Sequence, residues 1–182
     1  MAEQQPRVNA PHLFAVLLGG KAQGCRLECH DMVFVIGDNI EQIIPQLPAL
    51  WFGQRQGLHI DGWQQLDQID GYRIHCLPAD SHAATSATNN TTNKLWFVHL
   101  GGYQAGTLAE QHDNCFVVAN DSRAAKQLAL ARSNACQLQP HRDAQFAIDE
   151  VLPLDLINPW RIVVEADSSA RSNDIVTTYL PI

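Results

Sequence analysis

Long apolar runs are missing from this chain: no stretch approaches the roughly twenty consecutive apolar residues of a bilayer-spanning helix, so no membrane partner is expected. Basic residues are scarce as well. Twelve Lys and Arg against 19 Asp and Glu give a formal net charge of -7, which removes the global electrostatic footprint of a nucleic-acid-binding protein. Cysteine is sparse, and its five occurrences (Cys25, Cys29, Cys76, Cys115, Cys136) are odd in number and irregular in spacing. That pattern argues against a disulfide framework and for a reducing compartment. Leu13 to Leu18 is too short for the apolar region of a signal peptide and follows an acidic residue, Glu3. The expected location is the cytoplasm. What the chain does have is 46% apolar content over 182 residues, enough to bury a core.

It also has an internal repeat. Leu13-Phe-Ala-Val-Leu-Leu-Gly-Gly-Lys-Ala-Gln-Gly24 aligns with Leu95-Trp-Phe-Val-His-Leu-Gly-Gly-Tyr-Gln-Ala-Gly106, and Gly101 minus Gly19 sets the offset at 82. The same offset carries Glu28, His30 and Asp31 onto Glu110, His112 and Asp113, and His59 and Asp61 onto His141 and Asp143. Eleven of the 24 positions from 13 to 36 are identical, where unrelated segments give about one or two. After Asp67, matched to Asp149, the offset becomes 88 at Tyr72 and Trp160, which implies six extra residues within Leu152 to Asn158. The expected organisation is a tail (1–12), a first copy (13–80), a polar linker (81–93), a second copy (94–167) and a C-terminal tail (168–182) with room for an added strand.

Within a copy, the apolar runs Leu13 to Leu18 and Met32 to Ile36 suit buried strands. Ile40, Ile43, Ile44, Leu47, Leu50 and Trp51 follow at helical spacing, with Asp38 and Glu41 placed as an N-cap and its box partner. Pro45 and Pro48 shorten or kink this helix. Its counterpart, Asp121 to Arg132, has no proline. Asp70-Gly71 reads as a hairpin turn before Tyr72. The predicted fold is α+β, a tandem duplication of a strand-strand-helix-strand-strand unit packed with pseudo-twofold symmetry.

Leu17-Leu-Gly-Gly-Lys-Ala-Gln-Gly24, then Glu28-Cys-His-Asp-Met-Val-Phe34, then Leu58-His-Ile-Asp61, is similar to the motif set of a bacterial domain-of-unknown-function family, number 1543. The resemblance covers about residues 13 to 78 and again 95 to 165. It implies a bacterial protein with one or two such domains per chain, and carries no activity or assigned residue with it.

Three chemistries fit the motifs. Gly19, Gly20 and Gly24, with Gly101, Gly102 and Gly106, read as a Gly-rich loop that turns several N–H groups toward one anion. It leads into a strand, so it lacks the helix N-terminus of nucleotide-binding loops. Its bland reading is a turn needing positive φ. Glu28, His30, Asp31, His59 and Asp61, with Glu110, His112, Asp113, His141 and Asp143, offer imidazole and carboxylate ligands for a divalent metal, or a base with its orienting acid. On a strand Glu28 and His30 share a face and Asp31 points away. Their bland reading is a buried histidine with a carboxylate partner, and Asp31 or Asp61 paired to Arg73 with their counterparts paired to Arg161. Cys25-x-x-x-Cys29-His30 has knuckle-like spacing, but Thr107 and Gln111 at the matched positions favour plain loop or core cysteines. The leading reading is a module that binds a small polar or anionic ligand. A metal-assisted hydrolase or related enzyme and a scaffold or interaction protein stand as alternatives. Constant spacing between the two motifs predicts that His30 approaches His59 and Asp61, and His112 approaches His141 and Asp143, around one polar pocket beside the Gly-rich loop of each copy.

Overall fold

A strand apolar on both faces must be covered on both, which makes it central in its sheet. In the computed structural model, which describes residues 10–90, 92–103, 106–132 and 148–182, β1 (His12–Gly20) has that position. It pairs antiparallel with β2 (Cys29–Gly37) on one side and β3 (His59–Gln65) on the other. The last strand of the chain, β11 (Ile175–Pro181), adds to the outer edge of β3, giving the order β11-β3-β1-β2. These elements belong to one compact unit, Met1–Asp67 with Ser172–Ile182, and Gln68–Arg171 forms a second. Mixed helix and mainly antiparallel strand make the fold α+β.

In the first unit Phe14, Val16, Leu18, Val33 and Val35 pack on Ile43, Leu47 and Trp51. The last three come from α1 (Ile40–Ile43), a 3₁₀ helix (Ile44–Ala49) and the residues after it. The N-cap is Asn39, not Asp38: its side chain accepts the Gln42 amide at 3.0 Å, while Asp38 takes the Gln42 side chain at 3.2 Å. The helix is short because Pro45 and Pro48 supply no amide hydrogens to continue it.

In the second unit, β6 (Lys94–Gly102), β7 (Gln111–Ala119) and β8 (Ile148–Pro153) form a sheet of order β7-β6-β8. It carries α3 (Ser122–Arg132), capped by Asp121, which accepts the Ala124 amide at 2.8 Å. Trp96, Val98, Leu100, Val117, Ala125 and Ala129 form its core. A second sheet runs β4-β5-β10-β9, built from β4 (Gln68–Ile69), β5 (Tyr72–Pro78), β9 (Leu156–Ile157) and β10 (Trp160–Ala166). Gly71, at φ 84°, closes the turn from β4 to β5.

Strand registers recur between the two halves. β1–β2 pairs Leu13 with Ile36 and Gly19 with His30, and β6–β7 pairs Leu95 with Val118 and Gly101 with His112, each number raised by 82. β3 and β8 differ in offset: Phe14 faces Gln65, whereas Trp96 faces Pro153, 88 beyond Gln65. The six extra residues therefore precede β8 and do not lie within Leu152 to Asn158. Asp67 corresponds to Asp155, not Asp149, and an ion pair agrees with this: His12 Nδ1 lies 2.7 Å from Asp67, and Lys94 Nζ lies 2.7 Å from Asp155.

Two further expectations are corrected. Residues 81–93 do not run as irregular linker, because His82–Asn90 form α2. Ser81 starts it by accepting the Ala84 amide at 3.1 Å, and the wholly buried Ala84 anchors it. Arg73 pairs with Asp167 at 2.5 Å rather than with Asp31 or Asp61.

Leu18 is fully buried at the centre of the first core, so Leu18→Ala should cost about 2–5 kcal/mol in chemical unfolding. Asp167 supplies a pH signature. The Ser169 hydroxyl, then the Arg73 guanidinium and the Ser169 amide, hold its carboxyl well below the usual carboxylate range. A folded value below the unfolded one stabilises above the unfolded pKa, and the contribution is lost as pH falls. The stability gap between the wild type and Asp167→Asn should be widest at neutral pH and narrow steadily below about pH 4, as read by denaturant midpoints across a pH series.

Candidate functional site

β1 lies between the two strands that carry the histidines: Gly19 is opposite His30 on β2 and opposite His59 on β3. All three project from the face away from the Phe14–Val16–Leu18 core, because side chains alternate along a strand. His30 and His59 stand on strands separated by a third, a span of roughly 10 Å. They share partners only because nothing rises from Gly19 between them. A Cβ at that position would lie 2.5 Å from His59 Nε2 and 2.7 Å from Asp61 Oδ2.

Asp61 is the extra residue of a β-bulge, since Leu17 faces Gly62 and Leu18 faces Ile60. A bulge re-aims the side chain it carries, and here it sets the carboxylate between both imidazoles. Asp61 Oδ2 is 3.0 Å from His30 Nε2 and Oδ1 is 3.3 Å from His59 Nε2. Glu28, just before β2, also reaches both: Oε1 is 3.4 Å from His59 Nε2 and Oε2 is 3.9 Å from His30 Nε2. The cluster grades from floor to mouth, with His59 3% exposed, Asp61 26%, His30 45% and Glu28 49%.

His59 Nδ1 lies 2.9 Å from the Gly57 carbonyl. A carbonyl only accepts, so Nδ1 carries the hydrogen and Nε2 is the atom turned to the two carboxylates. The Tyr179 ring of β11 lies against the His59 ring at 4.4 Å.

Gly19 and Gly20 are strand residues with ladder partners, not a loop offering N–H groups, and Gly101 and Gly102 repeat this in β6. Only Gly24 and Gly106 sit in turns, at φ 84° and 86°. Asp31 is opposite Leu18, so its position alternates away from His30. Among the described residues no group of three or more His, Cys, Asp or Glu side chains is arranged to hold a metal ion. Here imidazoles and carboxylates pair with one another. Cys29 is linked by hydrogen bond to Cys25, which pushes its thiol pKa up and makes it less ready to ionise.

In the second half Glu110 Oε2 is 3.9 Å from His112 Nε2, the separation of Glu28 and His30. His112 stacks at 4.8 Å on His99, which stands where the first half has Leu17, and Asn114 takes His99 Nδ1 at 2.8 Å. Asp113 Oδ1 accepts the Asn114 amide. His141 and Asp143 lie outside the described residues. The β6–β8 register places Ile148 opposite Leu100, as Ile60 is opposite Leu18, so the strand position of Asp61 is matched by Asp149.

The sequence reading missed Tyr179, the Gly57 carbonyl and the part played by Gly19. Tyr179 lies outside the repeat, so no internal match marked it.

Residues 25–76 match the model of the family Domain of Unknown Function (DUF1543). The matched span contains Glu28, His30, His59 and Asp61. Protein Il1583 from Idiomarina loihiensis, known from a crystal structure, is similar to this chain at 29% identity and a TM-score of 0.67, over 94% of this chain and 97% of that one. No curated protein matches. Among the described residues no helix is long and apolar enough to cross a membrane.

Gly19→Ala should leave the far-UV spectrum unchanged and cost about 1–3 kcal/mol, with the His59 and His30 ring resonances displaced in NMR spectra. Unmoved ring resonances would show that the cluster does not depend on the missing side chain.

Proposed function

We propose that the Glu28–His30–His59–Asp61 cluster is the binding site of a small polar ligand that presents N–H or O–H donors, an amine or guanidine above all. The observation that carries this is the placement of His59 Nε2 at 3.3 and 3.4 Å from two carboxylate oxygens while Nδ1 is committed to Gly57. Two lone-pair-bearing oxygens facing a ring nitrogen call for positive charge or a donor between them, whether from a second proton on the ring or from a ligand. Toward solvent the same carboxylates keep unused acceptor capacity, and half-exposed Glu28 and His30 stand at the mouth. An anionic ligand is disfavoured by the carboxylates, and the strand glycines leave no N–H cradle for one.

Thermal-shift titration of the full chain against small primary amines, guanidines, polyols, carboxylates and phosphates tests the reading, since a ligand of the native state raises the midpoint. An amine, guanidine or polyol should stabilise the wild type and fail to stabilise Asp61→Asn and Gly19→Ala. Stabilisation by phosphate or carboxylate that disappears in those same variants would overturn it, as would the absence of any donor-bearing hit.

A second reading rests on the His30–Asp61 pair at 3.0 Å, the arrangement of a half-exposed general base and its orienting carboxylate. It supports acid–base chemistry on a bound donor ligand.

The two halves are also best read as a duplication with a local twofold relation. Support comes from the shared β1–β2 and β6–β7 registers, from Asn39 and Asp121 capping at the same offset of 82, and from the paired His12–Asp67 and Lys94–Asp155 contacts. In the β5–β10 pair His75 lies opposite Val163, its own counterpart at offset 88. On this reading the second half keeps the Glu–His pair, and its His112 also stacks on His99.

A further inference from the structure

In the antiparallel pair of β5 and β10, two arginines take equivalent places with unequal surroundings. Arg73 is opposite Glu165, and Asp167, two residues farther on, bonds its guanidinium at 2.5 Å. Arg161 is opposite Leu77, and the residue two farther on is Ala79. Both carboxylates that compensate Arg73 are therefore replaced by apolar side chains around Arg161. Arg161 is partly buried and has no carboxylate partner among the described residues.

The same residue lines a cavity of about 210 Å³, with Thr92, Asn93, Lys94, Asp155 and Ile162 among its walls. That volume is well above what one water occupies. Lys94 is already paired with Asp155 at 2.7 Å, so Arg161 leaves the lining with one uncompensated positive charge. A guanidinium removed in part from water needs a charged hydrogen-bonding partner, and its planar fork matches a carboxylate or phosphate with two parallel bonds.

We propose that this cavity of the second unit binds a small oxyanion on Arg161, with the hydroxyl of Thr92 as a neutral donor in the same lining. The ligand takes the place that Asp167 occupies beside Arg73. This site is separate from the cluster around His59 and does not depend on any role for that cluster.

The experiment uses the full chain at constant ionic strength, with inorganic phosphate and the short dicarboxylate malonate as alternative probes and chloride as the control. At ten times its dissociation constant the preferred probe should raise the midpoint by about 3–5 °C, and which of the two saturates at lower concentration distinguishes phosphate from carboxylate as the ligand class. Arg161→Gln should abolish the response. Ala79→Asp should abolish it too, because it rebuilds the internal pair and fills the place of the anion; this variant keeps the test decisive if Arg161→Gln folds poorly. Arg73→Gln should respond like the wild type. No saturable shift with either probe, or a shift retained in Ala79→Asp, would overturn the proposal.

Discussion

Two strands separated by a third lie too far apart for most side chains to share a partner, so what stands on the middle strand decides whether they communicate. At Gly19 nothing does. His59 and Asp61 fill the space that a methyl group would claim, and the two imidazoles come to share both carboxylates. The bulge at Asp61, the carbonyl of Gly57 and the ring of Tyr179 then fix the orientation of a cluster that the glycine merely permits. The carboxylates are the groups of this cluster left with acceptor capacity to spare.

The second half shows what happens when one neighbour changes. Gly101 keeps the open position opposite His112, but His99 replaces Leu17 and its ring stacks on His112. Glu110 stands beside that imidazole, at 3.9 Å from its Nε2.

Much of this was legible in the sequence, and the reasons are physical. A continuous apolar run such as Leu13 to Leu18 has few places to go other than a central strand. The meeting of His30 with His59 and Asp61 was expected from a constant spacing that the register of β8 contradicts, since the strand position of Asp61 is matched by Asp149 and not by Asp143. Gly19 and Gly20 misled because adjacent glycines resemble a loop, whereas a glycine in a strand marks a close approach across the sheet. Residues 81–93 misled because polar composition outweighed a serine cap and a run of alanines. The placement of the six-residue insertion misled because a chance match of Asp67 with Asp149 masked a change of register that only strand pairing reveals. Tyr179 and the unbalanced surroundings of Arg161 carried no local signal at all, since both depend on pairing between distant strands.

The first unit is discontinuous, with its final strand supplied by the last residues of the chain. On a ribosome the strands β1, β2 and β3 emerge early, yet the outer edge of β3 stays open until β11 has followed the second unit. His59 gains its aromatic neighbour only then. Completion of the candidate pocket therefore waits on translation of the second unit, an insert within the first.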